Sequence, residues 1–433
     1  MSPTQLYPEL YLAIFDRLDR APGEKADLRN VSTTSHLFHE LAEPLLFTEI
    51  ILQMDYSDPG IETRTRTLMR HLTSRAETRQ WVKSIEISVY GSSNMAVNHI
   101  ADVFVELHNL RHITINDMNL TDSMVRHLPR LSHPFSLNCW DVGCVAKAED
   151  LVSDTQNLQL TELIVDRLRE SNMILLVTRL ALGPRLSILH LGRRDSYRIY
   201  PIFSQNPGHD FDSLRDLEVY QPVGQAEMAG LVNLLSSCPW LLHLKIIPVS
   251  MFHTDIEVAF QLPPTSIPRL SSLEAPYDLA RLLVRGRPLL SLKLRCKAKS
   301  NLDRGLLSQL AGGSTPLRGL DAANFIWRDD VLLDIVEYFP ALQNLKLRVV
   351  EGYFNSMLER LPSDLKRLLP LQRFVIYSTS LTWRNDDVDI DHHTLKSMEA
   401  VNDRLALNGF RLKFERCWDG DESRWILLPL QQL

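Results

Sequence analysis

His39-Glu40-Leu41-Ala42-Glu43 carries the first histidine and the glutamate of a zinc-hydrolase helix, but not the second histidine that would complete the ligand pair. His108 and His112 stand four apart, yet they straddle a predicted helix end and strand start and so share no helix face. Cys139 and Cys144 are two thiols with no second pair to fill a four-ligand site. Asp387, Asp389 and Asp391 copy the opening of a calcium loop. His392 then replaces the glycine of its sixth position, and Met398 the glutamate of its twelfth. There is no glycine-rich phosphate loop and no nucleophile elbow. The chain is therefore read as non-catalytic, with no metal and no other cofactor. What remains is charge that recurs in register: Lys293, Arg295, Lys346, Arg348, Arg373 and Lys413. Cations placed that way would capture an acidic or phosphorylated segment of a protein target.

A repeated phrase, apolar-x-x-apolar-x-apolar, positions those cations. It reads Val82/Ile85/Ile87, Leu110/Ile113/Ile115 and, degenerate, Pro134/Leu137/Cys139. Clearer copies are Leu160/Leu163/Val165, Leu186/Leu189/Leu191, Leu214/Leu217/Val219 and Leu241/Leu244/Ile246. Later ones are Leu270/Leu273/Ala275, Leu289/Leu292/Leu294, Leu317/Leu320/Ala322, Leu342/Leu345/Leu347 and Leu371/Phe374/Ile376, with Phe410/Leu412/Phe414 as a looser last copy. From Val82 to Leu371 successive starts fall 19 to 29 residues apart. The alternating part of each phrase predicts a short strand with one buried face. Helical stretches lie between, at 95–107, 168–182, 227–236, 279–284 and 330–338, and Pro184, Pro239, Pro288 and Pro340 precede strand phrases. One strand and one helix cannot bury an apolar face alone, but a stack of such units can.

Side chains between the apolar positions must face away from that core. Glu162, Asp166, Asp216, Glu218 and Tyr220 are thus expected on an acidic open face in the middle units. The six cations fall on a mainly basic face in the later ones, with Glu274 and Asp321 interspersed.

The period is that of leucine-rich repeats, which residues 55–433 resemble. The resemblance implies an α/β solenoid with a parallel sheet on its concave face and helices on its convex face. The Asn or Cys of the stricter pattern is mostly absent, with Arg194, Pro222 and Val350 standing in its place, so irregular units are expected. In the join, Arg64, Arg66, Arg70, Arg75, Arg79 and Lys83 interleave with Leu68, Met69, Leu72 and Trp81, which reads as an amphipathic helix with a solvated basic face.

Residues 1–54 have a different pattern. Pro8 suits a first helical position, Leu10, Ile14 and Leu18 form a stripe with Phe15 beside it, and Leu6 and Tyr11 are spaced for a hydrophobic staple. A second short helix puts Leu28 and Val31 on one face; a third carries Phe38, Leu41 and Ala42 and is expected to stop at Pro44. This order and spacing, from Leu6-Tyr7-Pro8-Glu9-Leu10 to Leu37–Phe47, resembles an F-box. The resemblance implies three helices that dock on the Skp adaptor and, through it, on a cullin. Carried over position by position, the adaptor contacts are Leu6, Pro8, Leu10, Ile14, Phe15, Leu18, Leu28, Val31 and Phe38. The function implied is the substrate-recognition subunit of a ubiquitin ligase. A repeat scaffold that uses these helices only as a cap is the alternative.

Bulk properties agree with a protein-binding chain. Its 433 residues allow two or three domains, and its net charge of −6 argues against a nucleic-acid partner. No apolar run reaches membrane-span length and no secretory leader is evident, so a cytoplasmic or nuclear location is expected, away from membranes. Five cysteines without paired spacing fit free thiols, which leaves the sequons at Asn30 and Asn119 without meaning.

Overall fold

Apart from Pro134, which is exposed, the described apolar positions of the phrases from Val82 to Leu371 are buried. In a computed structural model of the chain, residues 25–55, 57–90, 94–145, 157–205, 211–249, 260, 262–263, 265–295, 302–327, 331–349, 370–378, 410–416 and 423–429 are described. The strands are β1 (Glu49–Asp55), β2 (Ser84–Tyr90), β3 (His112–Asn116), β4 (Asn119–Leu120), β5 (Phe135–Trp140), β6 (Gly143–Cys144), β7 (Leu160–Asp166) and β8 (Ile188–Leu191). They continue as β9 (Asp216–Tyr220), β10 (His243–Ile247), β11 (Ser272–Pro276), β12 (Ser291–Arg295), β13 (Gly319–Trp327), β14 (Asn344–Val349), β15 (Arg373–Ser378), β16 (Phe410–Arg416) and β17 (Ser423–Pro429).

The chain divides into two compact units, Met1–Ile199 and Tyr200–Leu433. In the first, β1, β2, β3, β5, β7 and β8 lie in that order, all parallel, and β4 and β6 make a small parallel pair of their own. One buried row crosses this sheet: Ile50, Ile85, Ile113, Leu137, Leu163 and Leu189 are successive register partners. In the second unit β9 to β15 are parallel, and Leu217, Leu244, Leu273, Leu292, Leu320, Leu345 and Phe374 make the corresponding row. Each such side chain contributes ~1.5–3 kcal/mol by burial, so the rows are the main reason the repeats stack. The backbone couples them too. The carbonyl before one strand accepts two N–H groups from the next repeat, as Leu242 O does from Ser271 and Ser272, and Leu290 O from Arg318 and Gly319.

Helices fill the gaps, close to their expected bounds: Asn94–Phe104, Ser171–Ala181, Gln225–Ser236, Tyr277–Leu283 and Val331–Tyr338. Asp122–His127, Arg193–Gln205 and Arg304–Leu310 are further helices that the sequence reading left unassigned.

Four details differ from expectation. The sheet begins at β1, inside the segment read as purely helical; its pattern, with Ile50, Leu52 and Met54 buried, is too short a signal to separate from a helix end. The Arg-rich join holds two helices, Pro59–Ser74 and Ala76–Trp81, broken at Arg75 in extended backbone. Its amphipathic reading holds, with Met69 and Leu72 buried and Arg64, Arg66 and Arg70 exposed. The third N-terminal helix, His36–Leu46, runs through Pro44 instead of stopping there. Proline costs it one hydrogen bond, and continuing lets Leu45 and Leu46 pack on the Leu28–Ala42 cluster. Finally, the Phe410/Leu412/Phe414 copy is no parallel repeat: β16 pairs antiparallel with β17, which pairs antiparallel with β15.

Candidate functional site

Two surfaces hold the residues singled out from sequence. The first is the N-terminal helix pair. Leu6, Pro8, Leu10, Ile14, Phe15 and Leu18 lie outside the described residues. The helices Lys25–Ser32 and His36–Leu46 pack on each other through fully buried Leu28 and Ala42, with Val31, Phe38, Leu41, Leu45 and Leu46 half-buried around them. Ser35 caps the second helix by accepting the Phe38 N–H at 3.2 Å. Leu28 therefore shapes the pair and has no surface to offer, while Val31 and Phe38 keep part of theirs. The pair is fastened to the repeats: Arg75 Nη1 lies 3.1 Å from Glu43 Oε1, and the Phe47 ring stacks on His71 at 5.0 Å.

The second surface is the sheet face away from the buried rows in the unit Tyr200–Leu433. Glu218, Lys245, Glu274, Lys293, Asp321 and Lys346 are successive register partners across β9 to β14. Signs alternate at every step. Lys245 Nζ meets Glu218 Oε2 at 2.9 Å, Lys293 Nζ meets Glu274 Oε2 at 3.4 Å, and Lys346 Nζ meets Asp321 Oδ2 at 3.3 Å. Arg295 also ion-pairs with Glu274. The mainly basic face read from sequence is thus a self-neutralised rung where its side chains are described. Lys293, Arg295 and Lys346 are on the expected face, but Glu274 and Asp321, on the strands just before them, take them as partners. Lys245, not singled out from sequence, completes the alternation. Its signal was its place in the Leu241/Leu244/Ile246 phrase, one step from Leu244. Arg348 and Arg373 hold register positions opposite Tyr377 and Asn344. The row passes from Lys346 through Val375 and Ile426 to Lys413, so Lys413 shares it through the antiparallel hairpin.

Beside the rung is an open groove of about 350 Å³ lined by Leu290, Ser291, Arg318, Gly319, Asn344, Leu345 and Lys346. Gly319 leaves it open, since a Cβ there would lie 3.3 Å from Ser291 Oγ.

The remaining chemical candidates are structural. His36 Nδ1 lies 3.3 Å from the exposed Glu40 carboxylate, and His108 packs on the buried His127 ring at 5.4 Å. Burial pushes the Cys139 thiol up to about 12, far from a reactive thiolate. Asp387, Asp389 and Asp391 lie outside the described residues. Among the described residues no helix is long and apolar enough to cross a membrane, and no three His, Cys, Asp or Glu side chains converge as metal ligands.

On the rim of the first unit, Arg169 bridges two carboxylates, Asp141 at 2.8 Å and Asp117. Both aspartates follow a strand in left-handed backbone, at φ 55° and 54°. Arg169 holds the Asp141 carboxyl below its ordinary range.

No protein-family model matches the chain, and no curated protein does. Among solved structures it is similar to a chain in the crystal structure of the Rad7 and Elc1 complex in yeast. The identity is 16%, the TM-score 0.39, and the match covers 79% of this chain and 88% of that one. The functional reading therefore rests on the residues themselves.

Proposed function

We propose that this chain is a non-catalytic target receptor of a Skp–cullin–F-box ubiquitin ligase. The observation that carries the reading is the N-terminal motif from Leu6 to Phe47, which resembles an F-box and whose second and third helices lead directly into an array of strand–helix repeats. The helices would bind the Skp adaptor, and the open sheet faces would hold a target near the conjugating enzyme, a proximity effect. The partners are the adaptor, a cullin reached through it, and a protein target.

Co-purification of the Skp adaptor with the intact chain tests this. Leu6→Ala with Pro8→Ala should weaken adaptor capture at unchanged helix content. If capture of that double variant stays at the parent level, the receptor reading is wrong.

The Glu43–Arg75 ion pair and the Phe47–His71 stack favour a second reading, in which the helices only cap the first repeat. On that reading no adaptor co-purifies, and removing the helices lowers the stability of the repeats.

A further inference from the structure

We propose that the open sheet face of the unit Met1–Ile199 is a docking surface for a Lys- or Arg-rich segment of a partner protein. The open-face positions of β1, β2, β3, β5, β7 and β8 hold Glu49, Asp55, Glu86, Glu162 and Asp166, with no Lys or Arg among them. Asp55, Glu86, Glu162 and Asp166 form no ion pair with any described Lys or Arg. Asp55 is hydrogen-bonded to Ser57, and Glu86 accepts from Asn116 at 3.3 Å. In the other unit each acid of the central rung has its lysine, so the same strand geometry can neutralise carboxylates and here does not.

Three large apolar side chains stand exposed on the same face, and each has a carboxylate as register partner on the adjacent strand. Ile51, 59% exposed, lies opposite Glu86. Tyr90, 44% exposed, lies opposite Asp55, and Trp140, 53% exposed, lies opposite Asp166. A carboxylate beside an apolar or aromatic surface suits a long cationic side chain: the charged head meets the acid while the stem or guanidinium plane covers the ring. The backbone inside the sheet is already paired, so recognition must go through side chains.

Cations stand at the ends of these strands, with Lys83 and Arg111 before them and Arg167 and Arg169 after. The acids stand between these ends, on β1, β2 and β7, so a docked segment would cross the strands to reach them. Nucleic acid and anionic lipid are disfavoured by the sign of the face. This deepens the receptor reading by naming a class of target segment. Peptide binding and adaptor co-purification are measured separately, so either can fail alone.

The test is fluorescence anisotropy of the intact chain with a short synthetic peptide alternating Arg and Leu, against a Glu–Leu counterpart and an Arg–Ser counterpart. The Arg–Leu peptide should bind most tightly and lose affinity with added salt. The neutral set Glu86→Gln, Glu162→Gln and Asp166→Asn should weaken it about tenfold, and Trp140→Ala about fivefold. Glu218→Gln with Lys245→Gln, which removes one neutral pair from the other unit, should leave it unchanged. A photo-crosslinking version of the peptide should label β1 to β8. Equal binding of the Glu–Leu peptide, undiminished binding by the neutral set, or crosslinks confined to the other unit would each overturn the proposal.

Discussion

Glu274→Lys is the sharpest perturbation of the charged rung. Glu274 faces Lys245 on one side and Lys293 on the other in register, and it also holds Arg295. Its side chain is 18% exposed, while those of Lys293 and Arg295 are 40% and 31% exposed. Two ion pairs of this kind are worth ~0.2–1 kcal/mol each, and a cation between two lysines adds cross-strand repulsion of similar size on each side. Solvent screening at the exposed ends favours the low half of that sum, so the variant should lose about 1–2 kcal/mol. Urea titration followed by circular dichroism reads this as a lower midpoint, with the deficit shrinking as salt is raised. Lys293→Gln added to Glu274→Lys removes one of the two like-charge contacts, while Asp321 keeps Lys346, and should recover part of the loss. If Glu274→Lys melts with the parent at low salt, or if the second change deepens the loss, the rung does not contribute as its register implies.

Two other sites give independent checks. Arg287 is 1% exposed and donates to five nearby carbonyls, Leu283 O at 2.8 Å, Pro263 O at 3.1 Å, Ser266 O at 3.2 Å, Arg285 O at 3.3 Å and Leu282 O at 3.5 Å. Arg287→Met would leave these acceptors in a dry site at a cost of about 3–5 kcal/mol, seen as faster amide exchange around 263–287; parent-like exchange would show that water or relaxation replaces the guanidinium. Asp195 is fully buried, accepts the Arg167 N–H at 2.7 Å and the Leu168 N–H at 2.9 Å, and has its carboxyl pushed above the ordinary 3.8, first by burial. A folded-state value above the unfolded one means that the native state binds the extra proton, so stability falls as pH rises from 3.8 through the raised value. The stability of the parent minus that of Asp195→Asn should therefore decline across that window, and a flat difference would contradict the assignment.

The apolar phrases were legible because both buried faces and strand spacing follow from period alone. Leu217, Leu244 and Leu273 could be assigned to one row before any register was known. Helices with a clear apolar stripe were legible to within a few residues. Asp122–His127 was missed because six residues give no period, and β1 because it follows directly on a helix. The face of each charged residue was also readable, through strand alternation. Their pairing was not, since it depends on which residue stands opposite on a strand some 20 to 30 positions away. Glu274 and Lys293 are 19 apart in sequence and one row apart in the sheet. Arg169, which joins Asp117 and Asp141, was invisible for the same reason.

Row geometry also explains how Asp55, Glu86, Glu162 and Asp166 on the open face of the first unit stand without a described Lys or Arg as counter-ion. Same-face residues on neighbouring strands lie ~4.8 Å apart, so adjacent carboxylates in one row would repel strongly enough to need either pairing or spacing. The second unit pairs them. The first unit spaces them: Glu86 has Ile51 and Thr114 as row neighbours, Glu162 has Ser136 and Ile188, and Asp55 has Tyr90. Asp166 has Trp140 on one side and Gly192 on the other, where a Cβ would collide with its carboxylate. No carboxylate on that face sits beside another in its row. Spacing lowers the folding cost of the acids but leaves their field uncancelled, whereas pairing cancels it. A face built the first way still attracts a cationic partner at a distance, and one built the second way has little net field to offer. That difference places the docking surface for a charged segment on the first unit, and it follows from cross-strand neighbours that no single repeat reveals.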